Sequence, residues 1–288
     1  MKHIYGAAAI LVALWSGTAT AGFFDELQKV VNPETKEGKI FSGATQILSS
    51  AKEVDYQTER TIGESLALDA MQRFGKPVAN EKLQQYVNLV GDAVAANSTR
   101  STIPYEFAVL DSPVQNAFAT PGGIIFISKA LLGVMDNEAE LAGVLAHEVG
   151  HVAGKHALGT IRRGQFLSGV GTITAATMKG DKGKQFQSMI GDLENVLFDK
   201  GLDKNLEFEA DAMAMETAYR TGYDPRGLIE VLKKLQRIEA SSTHKEGSWF
   251  STHPPLDERI ARLEEQLKKY PTNAPLARLG DRFARRVK

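Results

Sequence analysis

Cysteine is absent from the 288-residue chain, and neither sign of charge dominates it. The missing thiols exclude disulfide bonds and cysteine ligands for a metal, and they leave no residue to carry the lipid of a bacterial lipoprotein. A chain without thiols suits an oxidising compartment without proving one. The 34 basic and 35 acidic residues give a net charge of −1, so no overall field attracts nucleic acid or an anionic membrane.

The N-terminus carries an apolar run that is too short to cross a membrane. It extends from Ile4 to Trp15, about 12 residues where a spanning helix needs ~20. Lys2 precedes it, and Ala19-Thr20-Ala21 follows as a small-x-small cleavage site. Residues 1–21 are therefore predicted to be a cleavable signal peptide that exports the chain, with the periplasm as the expected compartment. An uncleaved N-terminal anchor is the alternative.

The remaining chain is long enough for one domain with short appendages. We expect an N-terminal arm over residues 22–57, a main domain over residues 58–270 and a basic tail over residues 271–288. The tail, with arginines from Arg278 onward, is expected to present a charged face to solvent.

The motif His-Glu-x-x-His lies inside an apolar run from Gly143 to His151. On a helix, His147 and His151 project from one face about one turn apart, a spacing that lets two neutral imidazoles bind one zinc ion. Glu148 then lies where its carboxylate can act as a general base without ligating the metal. The bland alternative is a helix with partly exposed histidines, but the apolar neighbours imply burial, and buried polar groups need partners.

A zinc site of this kind needs a third protein ligand. The stretch from Asn205 to Ala214 reads as a helix that carries Glu207 and Asp211 on one face. Glu207 can ligate the metal, and Asp211 can accept the free ring N–H of His147, which fixes the tautomer of that imidazole. An ordinary solvated helix face is the alternative interpretation of this pair.

These motifs resemble metallopeptidase family forty-eight, the gluzincins that include HtpX, the mitochondrial Oma protease and the Ste-type prenyl-protein endopeptidases. The resemblance covers the chain from about Thr58 to Leu267. Within the family, the chain resembles the soluble, exported branch. It implies His147, His151 and Glu207 as ligands of one zinc ion and Glu148 as the base. The matching segments are Gly143–Ala153, Glu207–Asp211, Asn116–Ile127, Ser251–Pro255 and Arg259–Leu263.

The elements and the resemblance together predict an α+β, predominantly α-helical fold of the zincin type, with a small antiparallel or mixed sheet. Alternating residues predict strands over 104–110, 116–120 and 124–128. Apolar periodicity predicts helices over 58–74, 81–96, 226–238 and 256–268. The resemblance implies that Asn116 and Ala117, on an edge strand, bind the main chain of a substrate. The alternative is that these residues belong to an ordinary hairpin of the sheet that does not bind substrate.

Two histidines outside the motif, His253 and His156, are also candidates for the site. His253 precedes two prolines and is expected to lie at the site, where it would donate to the oxyanion of a tetrahedral intermediate or occupy the open zinc position in a latent enzyme. The alternative is that His253 only caps the helix that follows it. His156, about 140° from the ligand face on a continuous helix, is interpreted as a polar contact or surface group. Arg259 and Arg262 are expected to hold their helix down.

Residues 160–204 are expected to form a pair of helices over the cleft, with a membrane-interacting pair as the weaker interpretation. The whole pattern predicts a zinc endopeptidase that cleaves exported or misfolded envelope proteins and binds no nucleic acid. No spanning segment is expected in the mature chain, which leaves peripheral membrane contact open. The rival classes are an envelope assembly or quality-control factor with chaperone-like binding, and a zinc hydrolase of a non-peptide bond.

Overall fold

The computed structural model describes residues 54–164, 181–241, 248–253, 255–271 and 275–288. The predicted signal peptide and almost all of the predicted arm lie outside the described residues. So does most of the first helix that was predicted within residues 160–204. Among the described residues, no helix combines the length and apolar composition that a membrane-spanning segment requires.

Helices make up most of the described chain, which confirms the predominantly helical α+β fold. Several begin at side-chain N-caps, such as Asp55, Asn80 and Asn137, whose oxygens accept otherwise unpaired backbone N–H groups. The helices are α1 (Tyr56–Phe74), α2 (Glu81–Ala95), α3 (Lys129–Val134), α4 (Glu138–Ala153), α5 (His156–Gly164), α6 (Asp181–Glu194), α7 (Lys204–Thr221), α8 (Arg226–Ser241), α9 (Trp249–Thr252), α10 (Leu256–Leu267) and α11 (Gly280–Val287). A π-helical turn, Asn195–Lys200, continues α6.

Three strands form a small mixed sheet, as expected. They are β1 (Glu106–Leu110), β2 (Ala117–Thr120) and β3 (Ile124–Ser128), in the order β1-β3-β2. β3 pairs in parallel with β1 and antiparallel with β2. Gly122 and Gly123 make the β2–β3 turn with φ of 80° and 99°, which side-chain-bearing residues rarely adopt. The sheet therefore leaves β2 at one edge.

Helix α4 is the centre of the core. Every residue from Glu138 to Val152 is buried, because α2, the sheet, α7 and α8 all pack against this helix. Gly150 permits a close approach of α7, since an added Cβ would lie 3.1 Å from the carbonyl oxygen of Ala210. The polar residues of α4 are thereby enclosed against α7.

The basic tail is more than a solvated face. Arg285 and Arg286 are exposed as expected, but Phe283 of α11 is fully buried in the main core. Arg282 donates to Glu138 at the start of α4. The expected charged face is present, and α11 is in addition attached to the rest of the protein by the buried Phe283 ring and by the ion pair between Arg282 and Glu138.

Candidate metal centre

Two imidazoles from α4 face each other at the bottom of the site. His147 and His151 lie one helical turn apart, and their Nε2 atoms are 3.0 Å apart. The rings are nearly perpendicular, with an interplanar angle of 87°. His147 is fully buried and His151 is 6% exposed. Two nitrogens that close, in an apolar helix, require a shared proton or a shared cation.

Helix α7 brings a carboxylate to the same point. The Oε2 atom of Glu207 lies 3.4 Å from His147 Nε2, and its Oε1 atom lies 3.4 Å from His151 Nε2. The Arg259 guanidinium is 3.1 Å away but is not aligned to donate, so both Glu207 oxygens are buried without a hydrogen bond. A fully buried, unsatisfied carboxylate is costly unless a ligand satisfies it.

These groups form a donor set that suits a divalent cation. Ligating atoms of His147, His151, Glu207 and His253 all lie within 4.8 Å of one another. Two imidazole nitrogens and one carboxylate oxygen are the ligands that catalytic zinc sites use, with a further position left for water or substrate. The orphaned oxygens of Glu207 and the paired nitrogens of the histidines therefore fit zinc.

Glu148 and His253 lie beside this donor set. Glu148 is 1% exposed, and its buried Oε1 atom has no hydrogen bond. His253 Nε2 lies 3.5 Å from that Oε1 atom. The His253 ring stacks on Trp249 at 4.2 Å, and its Nδ1 atom is 2.8 Å from the hydroxyl of Thr252. Stacking and the hydroxyl fix which edge of this imidazole faces the site.

Asp211 and Arg259 contact the cluster on the Nδ1 side of His147. Asp211 Oδ1 lies 2.9 Å from His147 Nδ1, one helical turn beyond Glu207. Arg259, on α10, donates to both oxygens of Asp211, at 2.8 and 2.7 Å, and to the backbone carbonyl of His253. It is fully buried. The sequence indicated only that Arg259 holds its helix down, whereas one guanidinium connects α10, α7 and the His253 segment at the site.

The pKa values show how the site distributes charge. Burial lowers the pKa of His147 and so does Arg259, but the carboxylates of Asp211 and Glu207 outweigh them and raise it to about 9. Burial raises the pKa of Asp211, yet the Arg259 guanidinium holds it well below its usual range. Burial and the neighbouring imidazoles lower the pKa of His151. The carboxylates are thus charged and favour a cation at the imidazole pair.

His156 was interpreted as a polar contact or surface group, and it lies buried against His151. Its Nδ1 atom is 2.9 Å from His151 Nδ1. Helix α4 ends at Ala153, and Lys155 turns the chain with φ of 52°. The polar-contact interpretation is therefore the correct one of the two, and the partner is His151 because α4 stops before His156.

The predicted edge-strand residues lie beside the cluster. Ala117 begins β2, opposite Ile127, and Asn116 directly precedes it. Both are buried, and the Asn116 side-chain oxygen accepts from the hydroxyl of Thr252, next to His253. Their contact with a substrate stays a prediction.

A buried ion pair links the β2–β3 hairpin to the end of α4. Glu59 accepts two hydrogen bonds from Arg100 at 2.7 Å and one from the backbone N–H of Gly122 at 3.0 Å. Arg100 also donates to the carbonyl of Val152. The turn after β2 and the C-terminus of α4 are therefore held by the same pair. Neither residue belongs to a sequence motif that would mark it as part of the site.

An apolar cleft opens next to the donor set, between β2, the end of α4 and the π-helical turn. Glu148, His151 and His253 are at one end of it. Its walls carry mainly hydrophobic side chains, among them those of Phe118, Ala119, Val152, Leu158, Val196 and Leu202.

A helical domain with two histidines and a glutamate from neighbouring helices around a buried point, and a free glutamate beside them, defines a zincin-type metallopeptidase. The pattern of Peptidase family M48 matches residues 81–267, more than half of the chain. The chain belongs to that family, which confirms the family resemblance and the expectation of a metalloendopeptidase.

Three relatives show how far the similarity extends. The chain is 27% identical to the "Beta-barrel assembly-enhancing protease" of Yersinia pestis, over 82% of this chain and 52% of the relative. It is 28% identical to "Mitochondrial metalloendopeptidase OMA1" of Schizosaccharomyces pombe, over 63% and 52%. It is 29% identical to "Metalloprotease LoiP" of Escherichia coli, over 66% and 72%. The chain thus spans about half the length of the first two.

Proposed function

We propose that the protein is a zinc-dependent endopeptidase that cleaves exported or misfolded envelope proteins. The observation that carries the proposal is the convergence of His147, His151 and Glu207 on one buried point, with Glu148 alongside. Export rests on the signal-like residues 1–21, and the envelope substrate is supported by the relatives named for β-barrel assembly.

The roles follow from the placement of each group. His147, His151 and Glu207 hold one zinc ion, and Asp211 orients His147 through its Nδ1 atom. Zinc, when bound, lowers the pKa of water and polarises a peptide carbonyl. Glu148 takes a proton from the attacking water and delivers it to the leaving amine. The buried position of Glu148 beside the donor set suits this transfer.

His253 has two candidate roles in this scheme. Its Nε2 atom faces the donor set and Glu148. From there it donates to the oxyanion that forms on the substrate carbonyl, or it occupies the open ligand position and keeps the enzyme latent. We propose that a substrate adds as a strand to the open edge of β2 at Asn116 and Ala117, because β2 is the edge strand next to the site. The backbone N–H and C=O of Asn116 already pair with Ser128, so Ala117 would supply the main-chain hydrogen bonds at this point.

Replacing the proposed base tests the enzyme function directly. We expect Glu148→Gln to bind zinc with unchanged stoichiometry and to lose cleavage of unfolded protein substrates by at least ~10²-fold, the lower range for a general base. Glu81→Gln, on an exposed residue at the start of α2, is the matched control and should cut at the wild-type rate. Wild-type cleavage by Glu148→Gln would contradict the mechanism.

The rival assembly or quality-control function is separated by the same variant. A strain whose own copy is deleted and replaced by Glu148→Gln should accumulate uncut substrate proteins. If that strain behaves as wild type, binding rather than cleavage carries the biological role.

A further inference from the structure

His156 is a buried histidine that contacts a proposed metal ligand and has no role in the proposed mechanism. Its side chain is 3% exposed. Its ring lies nearly perpendicular to that of His151, with an interplanar angle of 80° and centroids 5.0 Å apart. The two Nδ1 atoms are 2.9 Å apart. Two nitrogens at this distance form a hydrogen bond, so one of them carries a proton that the other accepts.

The turn between α4 and α5 brings the two rings together. Helix α4 ends at Ala153, Lys155 turns the chain with φ of 52°, and α5 begins at His156. An added Cβ at Gly154 would lie 2.2 Å from His156 Nε2, although the φ of −75° at this glycine suits any residue. Glycine is therefore needed here for space and not for conformation, and the ring is held between Gly154 and His151.

The proposed ligand role of His151 determines which nitrogen carries the shared proton. Its Nε2 atom faces the donor set, 3.0 Å from Nε2 of His147 and 3.4 Å from Oε1 of Glu207. A neutral imidazole that ligates through Nε2 carries its proton on Nδ1. The Nδ1 atom of His156 must then accept that proton, and the neutral His156 ring keeps its own proton on Nε2.

The Nε2 atom of His156 is buried and has no hydrogen-bond partner among the described residues. A carboxylate oxygen of Glu209, on α7, lies 3.7 Å from it, about 0.5 Å beyond the usual range of an N–H···O hydrogen bond. The opposite tautomer would place a nitrogen lone pair beside this negative oxygen, which is repulsive, whereas an N–H group is attracted to it. The unpartnered atom therefore favours the same tautomer as the contact with His151.

Glu209 can complete this hydrogen bond, because its side chain is 59% exposed and packing leaves it room to move. Rotation about its own bonds would bring the carboxylate within range. An unpaired buried N–H group costs free energy, which the contact would recover. Hydrogen bonds in a chain also polarise one another, so the bond at Nε2 of His156 would strengthen the one at Nδ1.

We propose that Glu209, His156 and His151 form a chain that holds the His151 ring and its tautomer for metal binding, an inference that rests on the proposed zinc site. His156 is the positioning residue of this chain, and Glu209 keeps the proton on its Nε2 atom. Asp211 lies 2.9 Å from Nδ1 of His147 and orients that ring directly. Each of the two histidine ligands would thus have its own carboxylate, one of them acting through a second imidazole.

Zinc affinity, measured by competition with a chelator, tests the His156 link without reference to catalysis. His156→Ala should weaken zinc binding by about 10–100-fold, the usual effect of losing such a partner. His156→Asn, whose amide oxygen can accept from His151, should recover part of the loss, whereas His156→Leu, which fills the space but accepts nothing, should not. Gly154→Ala should weaken binding by displacing the ring. Gly159→Ala on α5, where an added Cβ meets nothing, should leave it unchanged.

A double-mutant cycle tests the Glu209 link. Glu209→Ala should weaken zinc binding by about 2–10-fold, the effect of one hydrogen bond, and should have no effect in a His156→Ala background, because the carboxylate acts through that ring. Glu216→Ala, about two turns further along α7 and also exposed, is the matched control and should leave affinity unchanged. Equal effects of Glu209→Ala in both backgrounds would indicate direct attraction between carboxylate and cation and would overturn the chain.

The imidazole nitrogen shifts in NMR spectra of the zinc-loaded protein report the two tautomers. His156 should carry its proton on Nε2, and His151 should carry its proton on Nδ1. A proton on Nδ1 of His156 would overturn the inference, because His156 would then donate to His151 rather than accept from it.

The thermal midpoint of the zinc-free protein distinguishes positioning from packing. A packing role alone would lower that midpoint in His156→Ala while zinc affinity stays at the wild-type value, and this outcome overturns the inference. His156→Leu replaces His156→Ala as the background of the cycle if the smaller side chain prevents folding. Wild-type zinc affinity in every variant would contradict the chain and leave the proposed peptidase function standing, whereas failure of the wild-type protein to bind zinc would contradict both.

Discussion

Arg259 carries a positive charge into a site that is built to bind a cation. It is fully buried, and its partners are Asp211, the carbonyl of His253 and the nearby carboxylate of Glu207. A planar guanidinium can hold a carboxylate with two hydrogen bonds and still donate elsewhere, which a lysine cannot do. The charge of Asp211 offsets that of Arg259, which leaves Glu207 able to act as a ligand in the proposed metal site.

Removing Arg259 should destabilise the protein far more than removing its neighbour on α10. Arg259→Met leaves the carboxylates of Asp211 and Glu207 uncompensated, so we expect a loss of about 3–5 kcal/mol in the free energy of unfolding. Arg262→Met, at a side chain that is 59% exposed, should cost less than ~1 kcal/mol. Urea unfolding with a chelator present measures both, and equal losses would contradict the role assigned to Arg259.

Sequence spacing predicted which residues share a helix face. The structure shows why it could not predict the other residues of the site. His147, His151, Glu207 and Asp211 are each one turn from a partner on the same helix, so periodicity brings them together. Arg259 and Trp249 reach the site only through tertiary packing of separate segments. Such contacts have no local signature.

At the scale of elements, the π-helical turn that continues α6 forms part of the wall of the cleft. Phe198 anchors the turn, because its ring packs against Phe74 of α1 and Phe118 of β2 at 5.5 and 5.2 Å. Arg73 and Asp199 add an ion pair between α1 and the turn. The wall is thus held by one aromatic cluster and by polar contacts near solvent.

A further polar contact, between Glu194 of α6 and Asp69 of α1, should make the attachment of α6 depend on pH. Burial and a hydrogen bond with Asp69 of α1 raise the pKa of Glu194 to about 7, from an ordinary value of 4.5, despite the nearby Arg73. The folded protein therefore holds more protons than the unfolded chain between these values. Stability then falls as the pH rises through this window, so α6 should be attached more firmly at pH 5 than at pH 8.

Hydrogen exchange measures this effect. Corrected for intrinsic rates, the amides of α6 should exchange faster at pH 8 than at pH 5, and Glu194→Gln, which stays neutral, should remove most of the difference. Glu81→Gln on α2 is the control and should keep it. A pH difference that persists unchanged in Glu194→Gln would contradict the assignment to this carboxyl pair.

The sequence predicted most of these elements but not their irregular parts. Apolar periodicity located α2, and the His-Glu-x-x-His motif in its apolar run located α4, since both are local properties of the sequence. The π-helical turn has no such pattern. Its geometry follows from the packing of Phe198 between α1 and the sheet, which a single segment does not encode.

At the scale of the whole molecule, the C-terminal helix completes the core around the start of α4. Glu138 is fully buried and accepts hydrogen bonds from Tyr86, Tyr223 and Arg282. Phe283 lies beside Tyr86, with ring centroids 6.4 Å apart. The division at residue 271 into a domain and a tail stays a prediction, and basic composition concealed the one buried aromatic residue of α11.

Loss of this aromatic contact should therefore affect global stability. We expect Phe283→Ala to lower the free energy of unfolding by about 3–5 kcal/mol, as for other large-to-small core changes. Leu89→Ala, at a side chain that is 69% exposed, should change it by less than ~0.5 kcal/mol. Denaturant unfolding compares the two, and similar midpoints would show that α11 does not belong to the cooperative unit.

The ion pair of Glu59 and Arg100 determines a distance as well as an orientation. It joins the backbone of Gly122, at the tip of the hairpin, to the carbonyl of Val152 in the last turn of α4. Strand β2 and the histidine-bearing helix are therefore separated by a fixed spacer. A polypeptide bound along that strand would lie at a constant distance from the histidine cluster. The position of any cut would then be set by its distance from the hairpin tip.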